Sequence, residues 1–348
     1  MSFKIGDVKI GEENPPFVIA EMSGNHNKSI DRAMKILELA HACGASAIKL
    51  QTFTPETITL KVKNDNFKIN DKDSLWTGEY LFDLYEKAHT PWEWHEPLFK
   101  RAKELGLICF STPFDETAVD FLEKLDSPAY KIASFENNHL PLIEKAASTG
   151  KPLIISTGMA NLGEIEEAVN VARKSGCEKL ILLKCTSSYP ASPLNTNLLT
   201  IPHLKNIFNT EVGLSDHTKG IGASVGAVAL GATVIEKHFT TSRKEGGVDS
   251  EFSLEPDEFA SLVKESNTCW SALGSIKYGR TKSEEKSLIF RRSIFVAEDI
   301  IKGEKFTKKN IRIVRPGNGA SPKLYSKLIG TSAARSFTKG EPLILWEK

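Results

Sequence analysis

The chain has 348 residues, with 45 Lys plus Arg against 44 Asp plus Glu. That length suits one domain of roughly 250 residues with a small companion. The charge balance gives no global reason to expect a nucleic acid or an anionic membrane surface as partner. Eight short apolar segments then follow one another: PFVIAE (16–21), SAIKLQ (46–51), LICFST (107–112), AYKIAS (129–134), PLIISTG (152–158), LILLKCT (180–186), EVGLSDH (211–217) and TVIEKHF (233–239). Helical stretches such as SIDRAMKILELAHACG, WHEPLFKRAKELG and LGEIEEAVNVARKSG alternate with them. Eight such alternations predict a (β/α)8 TIM barrel rather than an open doubly wound sheet. Gly44, Gly106, Gly150 and Gly176 stand where helices should end.

Barrel enzymes place their chemistry at the carboxyl ends of the strands. Here those ends are polar throughout: Glu21; Lys49 and Gln51; Ser111 and Thr112; Lys131, Ser134 and Glu136; Ser156 and Thr157; Lys184, Thr186 and Ser187; Ser215, Asp216 and His217; Glu236, Lys237 and His238. Lysines inside strands are costly unless they meet an anion, so the set predicts a phosphate or carboxylate ligand, with some members facing helices or pairing with Asp216 and Glu236. His217 and His238 close the last two strands, and the small-residue run IGASVGAVALGA between them has the length of a crossover helix. Parallel neighbours lie about 4.8 Å apart, so both imidazoles can reach one metal ion.

Residues 54–90 are too long for a plain βα loop and carry Trp76, Tyr80, Phe82 and Tyr85. They are expected to form either a lid or substrate wall, or an insertion packed on the barrel or on a partner subunit. Trp92, Trp94 and His95 are assigned to packing. The barrel domain is expected over 1–275, a polar glycine-containing linker over 276–290, and a small β-rich domain over 291–348 with SIFVAE, RIVRP and PLILW as strands. Within the last, IIKGEKFT and FTKGEPLI echo each other. Its size is marginal for independent stability, which predicts that it docks on something.

Cys43, Cys109, Cys177, Cys185 and Cys269 show no C-x-x-C spacing and are read as reduced, mostly core residues. No apolar run approaches the roughly 18 residues of a membrane span, and the polar start lacks a signal-peptide core. A soluble, cytoplasmic protein is expected.

The ordered motifs IAE, NHN, KLQTF, STPFD, YKIASFE, ISTGMA, KCTSSYP, GLSDHT, VIEKHF and RPGNG resemble the sialic acid synthase family of nonulosonate synthases along nearly the whole chain. EMSGNHN, SLW, DLYEKAHTPWEWH and SPKLYSKLIG resemble its pseudaminic acid branch. The resemblance implies a metal-binding barrel joined to an antifreeze-like (SAF) domain and a domain-swapped homodimer. It implies that phosphoenolpyruvate condenses with 2,4-diacetamido-2,4,6-trideoxy-L-altrose and water, giving pseudaminic acid and phosphate; neuraminate or legionaminate synthesis is the alternative.

By position the resemblance makes Glu21 the acidic residue beside the metal-associated water, and His217 and His238 the ligands of a divalent ion, manganese first, with magnesium or cobalt as alternatives. It assigns Lys49, Thr112, Lys131, Ser134, Ser156, Ser187 and Ser215 to phosphoenolpyruvate. Gln51, Glu136, Tyr189, Asp249 and the swapped partner's Arg315 go to the acetamido sugar. The chain departs from the family at Ser187, where sialic acid synthases carry asparagine. Two rival readings remain open: a Schiff-base aldolase using Lys49, Lys131 or Lys184, and a non-catalytic sugar-binding or ice-binding protein.

Overall fold

The computed structural model describes residues 3–72 and 74–344. It divides into two compact units, Met1–Gly274 and Ser275–Lys348. In the first, strands β1 (Phe3–Ile5) and β2 (Val8–Ile10) form an antiparallel hairpin. Eight parallel strands then close a barrel: β3 (Phe17–Glu21), β4 (Ala47–Thr52), β5 (Ile108–Pro113), β6 (Tyr130–Ile132), β7 (Leu153–Ser156), β8 (Leu180–Cys185), β9 (Glu211–Asp216) and β10 (Val234–His238). The order follows the sequence, and β10 pairs back onto β3 in the register Val234 with Phe17 through His238 with Glu21. The expected glycines at the helix ends, Gly44, Gly106, Gly150 and Gly176, all have positive φ.

Strand alternation divides the barrel into two environments. Phe17, Ile19, Ala47, Phe110, Ala129, Ile154, Ile181, Leu183 and Val234 pack together inside it, with Ile5 and Ile10 of the hairpin in the same cluster. Their strand neighbours Val18, Ala20, Ile48, Leu50, Ile132, Ile155, Leu182 and Ile235 pack outward against the helices. The interior leaves no room at one crossing: a Cβ on Gly213 would meet the Val234 carbonyl oxygen at 2.1 Å, so only glycine fits between β9 and β10 there. Above this apolar plug the inward-facing positions continue as Glu21, Lys49, Gln51, Thr112, Lys131, Ser156, Cys185, Ser215, His217, Glu236 and His238, all of which line one cavity.

In the second unit, residues 276–290 are not wholly irregular: Lys282–Phe290 is a 3-10 run capped by Thr281, whose N–H donates to Glu284 at 2.7 Å. Strands β11 (Ser293–Val296) and β12 (Ile311–Val314) pair antiparallel. PLILW supplies one bridge, Pro342 to Phe295, and its last two residues lie outside the described residues. The K-G-E echo is structural: Glu304 accepts from the Ile301 N–H at 3.0 Å and Glu341 from the Thr338 N–H at 3.1 Å, each closing a turn. Ile294, Val296, Ile300, Phe306, Ile311, Phe337 and Leu343 form this unit's own core.

Candidate active site

The cavity at the carboxyl end of the barrel encloses about 320 Å³, within the range of sites that hold small ligands. On its floor two ammonium groups flank a carboxylate. Lys49 Nζ lies 2.6 Å from Glu21 Oε2, 3.0 Å from Thr112 Oγ1 and 3.8 Å from Glu236 Oε1. Lys131 Nζ donates to Ser156 Oγ at 2.7 Å and lies 3.8 Å from the same Glu236 oxygen. Ser215 Oγ also donates to that oxygen, at 3.1 Å. Burial works against the Glu236 charge, but Lys131 and Lys49 outweigh it and hold this carboxyl below its usual range.

Glu21 differs although it is as deeply buried. Burial raises its carboxyl to about 7; Lys49 opposes the rise and neighbouring Glu236 adds to it. Gln51 Nε2 donates to its Oε1 at 2.9 Å and fixes its orientation. Burial pulls the Lys131 ammonium below the ordinary lysine range, whereas Lys49, paired with both carboxylates, is held above it despite the same burial. The floor thus presents two cations, one firmly ionised carboxylate and one carboxyl poised near neutrality. Such a set accommodates an added anion and a proton transfer.

At one side the ring centroids of His217 and His238 are 5.3 Å apart. His217 Nδ1 lies 3.0 Å from the Thr186 carbonyl oxygen, which can only accept, so Nδ1 carries a proton and donates; burial works against the imidazolium, but Cys185 and the Thr186 bond outweigh it and hold this imidazole above its usual range. His238 Nδ1 is buried without a hydrogen-bond partner, 3.6 Å from Asp249 Oδ2. Burial and then His217 hold His238 well below the usual imidazole range, in the neutral form that ligates metals. Asp249 itself accepts from Ser23 Oγ, and burial raises its carboxyl. An oriented imidazole beside an unsatisfied neutral one fits a divalent cation. Among the described residues no group of three or more His, Cys, Asp or Glu side chains is placed to hold a metal ion, so a cation here would rest on these two imidazoles alone.

Of the residues read from the sequence, Glu21, Lys49, Gln51, Thr112, Lys131, Ser134, Glu136, Ser156, Tyr189, Ser215, His217, His238 and Asp249 all line this cavity. Ser187 does not line it but donates to Ser134 Oγ at 2.8 Å. Gly158 permits that approach, since a Cβ there would meet Ser134 Cβ at 2.5 Å and Ser187 Oγ at 2.9 Å, and its φ is +49°. Arg315 is exposed on the second unit. Lys184 is not brought to the cavity; it has the outward parity of β8 and donates to the Cys185 carbonyl at 2.6 Å. Lys237, also outward, is fully buried in an ion pair with Asp216 at 2.8 Å.

The 54–90 segment contributes a wall. Ile58, Ile69, Trp76, Leu81, Leu84 and Tyr85 line the cavity, and Trp76 Nε1 donates to the Val248 carbonyl at 3.1 Å. Trp92 stacks on Phe121 with centroids 4.6 Å apart, and buried His95 shares a 2.8 Å hydrogen bond with Thr52 Oγ1, so both act in packing. The sequence places Glu236 among the strand ends and as a partner for other members of that set, and Lys49 and Lys131 do meet it at 3.8 Å; it gives Glu236 no further role and names neither Ser23 nor Cys185 as a site residue. The inward parity of β8 and β10 signals Cys185 and Glu236; Ser23 lies beyond the end of β3 and has no such signal.

A closed parallel barrel with paired imidazoles, paired ammonium groups and a ring of hydroxyls at its carboxyl end defines a barrel enzyme. Residues 36–278 match the NeuB family and residues 291–345 the SAF domain. The chain belongs to the NeuB family, and the expected barrel followed by a SAF domain holds. It is 43% identical over 327 residues to the pseudaminic acid synthase of Campylobacter jejuni serotype O:2, covering 94% of this chain and 95% of that protein. It is 39% identical to the N,N'-diacetyllegionaminic acid synthase of the same organism, over 93% and 97% of the two chains. Among solved structures, the N-acetylneuraminic acid synthetase of Leptospira borgpetersenii, in complex with citrate, matches with TM-score 0.74 and 34% identity, covering 82% of this chain and 95% of that one. Among the described residues no helix is long and apolar enough to cross a membrane.

Proposed function

We propose that the chain condenses phosphoenolpyruvate with 2,4-diacetamido-2,4,6-trideoxy-L-altrose and water to give pseudaminic acid and inorganic phosphate. The observation that carries this reading is the floor of the cavity, where Lys49 and Lys131 share one carboxylate, Glu236, at 3.8 Å each. Two ammonium groups bonded to the Thr112 and Ser156 hydroxyls, with the Ser134 hydroxyl in the same cavity, suit the carboxylate and phosphate of one small trianion. The 43% identity to a pseudaminic acid synthase favours this sugar over the legionaminic one.

In the reaction, the C2–C3 π pair of the enol forms a bond from C3 to the aldehyde carbon, the C=O π bond breaks, and the oxygen takes a proton from Glu21 to become a hydroxyl. The cation left at C2 is captured by water, whose released proton has an acceptor in Glu21, a carboxyl poised at about 7. Collapse of the resulting hemiketal phosphate expels inorganic phosphate and leaves the 2-keto acid. A divalent cation held by His217 and His238, manganese with magnesium or cobalt as alternatives, supplies Lewis-acid polarisation of the aldehyde when bound. Gln51, Glu136, Tyr189 and Asp249 face the sugar in this reading.

Phosphate release, measured with manganese and three sugars, tests the reading. Turnover is expected with the L-altrose derivative and not with its legionaminic counterpart or N-acetylmannosamine. Preference for either of the others moves the chain to a sister specificity. Release with none of them under any divalent metal rejects the substrate.

The reading also includes a domain-swapped homodimer in which Arg315 from one copy serves the sugar of the other. Mixed dimers of Arg315→Ala and Glu21→Ala chains are then expected to regain up to about a quarter of wild-type turnover, because random pairing makes half the dimers mixed and each of these holds one intact site. No recovery in verified mixed dimers means that each site is built from one chain.

A further inference from the structure

The cavity has two chemically different halves. Opposite the charged floor, the 54–90 insertion presents an apolar surface. Helix Leu81–Ala88 turns Leu81, Leu84, Tyr85 and Ala88 toward the cavity, the i, i+3, i+4, i+7 spacing of a single helical stripe. Ile69 joins them from a short hairpin, where its N–H donates to the Glu79 carbonyl at 2.9 Å and its carbonyl accepts from the Gly78 N–H at 2.8 Å. That pairing fixes the Ile69 backbone at the cavity edge. Beside this surface Glu136 Oε2 is buried with no hydrogen-bond partner, and burial raises its carboxyl to about 7.

Tyr85 and Ala88 of this stripe also pack on the barrel, against Phe53 and Gly24, whereas Leu81 and Leu84 line the open volume of the cavity. A buried carboxyl oxygen without a donor is costly unless an occupant supplies one. One kind of occupant satisfies both halves of this surface: methyl groups for the stripe and an amide N–H for the carboxyl.

We propose that Ile69, Leu81 and Leu84 form an apolar subsite that reads the methyl groups of a 6-deoxy, N-acetylated sugar, with Glu136 accepting one of its amide N–H groups. This deepens the proposed function and rests on it. The subsite selects against a 6-hydroxyl because that hydroxyl would be buried against leucine and isoleucine without a partner. The lysine floor takes no part in this choice, so selection by the subsite is separable from binding of the anion.

The test compares 2,4-diacetamido-2,4,6-trideoxy-L-altrose with its 6-hydroxy counterpart, by kcat/KM for phosphate release and by quenching of Trp76 fluorescence on binding. The wild type is expected to prefer the 6-deoxy sugar by roughly tenfold, the range of one group in an apolar pocket. Ile69→Asn and Leu81→Asn are expected to cut that preference to about twofold or less on the same scale, and Ile69→Leu to keep it. A wild type with no preference, or variants that lose both sugars equally, overturns the subsite. Binding with the expected preference but without phosphate release overturns the proposed reaction and upholds the subsite. Failure of both sugars to bind overturns both.

Discussion

Alanine at His217 or at His238 is expected to lower metal-dependent phosphate release by at least about a hundredfold, because polarisation of a carbonyl by a bound cation is worth several kcal/mol. Neither change should unfold the barrel, whose interior plug of Phe17, Ile19, Phe110, Ile154, Leu183 and Val234 makes up a separate cluster below them. The readout that separates a ligand from a packing residue is manganese affinity, measured by paramagnetic resonance on the folded variant. Both substitutions should weaken it, and His238→Gln should do so without opening a void beside Phe252, whose ring lies 4.8 Å from that of His238. Wild-type turnover in either alanine variant would end the paired-imidazole reading.

Lys131 gives the second large effect, and it is read on stability and on substrate affinity together. Its ammonium is buried, and burial holds it below the ordinary lysine range. Removing one partner of a buried ion pair is destabilising, because the other charge is left less compensated, and Glu236 would keep only the Lys49 ammonium, at 3.8 Å. Lys131→Met is therefore expected to lower the melting temperature, while the KM for phosphoenolpyruvate rises by roughly 10- to 100-fold, the worth of about 1.5–3 kcal/mol for a hydrogen bond to a charged group. Thermal unfolding and initial rates on the same preparation check both halves. A less stable protein with unchanged KM would assign Lys131 to a structural ion pair with Glu236.

The barrel was legible because each of its strands is a compact apolar run that turns polar at its carboxyl end. The eight observed strands begin within a residue of the segments expected from the sequence. Which polar residue meets the ligand was less legible. Lys184 sits one position before Cys185 and Lys237 one after Glu236, so the same strands carry a lysine outward and a site group inward. Strand parity separates them once the interior residues are known, yet composition alone counts every lysine alike. Glu236 is legible as a strand-end partner for the lysines, but that two of them share it, from β4 and β6, comes only with the fold. Asp249 is assigned from the sequence, but its partner Ser23, 226 positions away, is not. Helix Leu81–Ala88 was hidden inside a segment whose length suggested a loop, and the Lys282–Phe290 run inside one whose polarity suggested a linker.

The alternation along β10 has a further consequence. Glu236 and His238 face the cavity, while Lys237 between them is sealed against Asp216 on the other side of the barrel wall. Three consecutive residues therefore answer to two independent sets of demands: one chemical, set by whatever enters the mouth, and one mechanical, set by closure of the wall. A lineage can exchange cavity residues to accept a new sugar while the fastening behind them stays untouched. In such a scaffold specificity can drift without putting the architecture at risk.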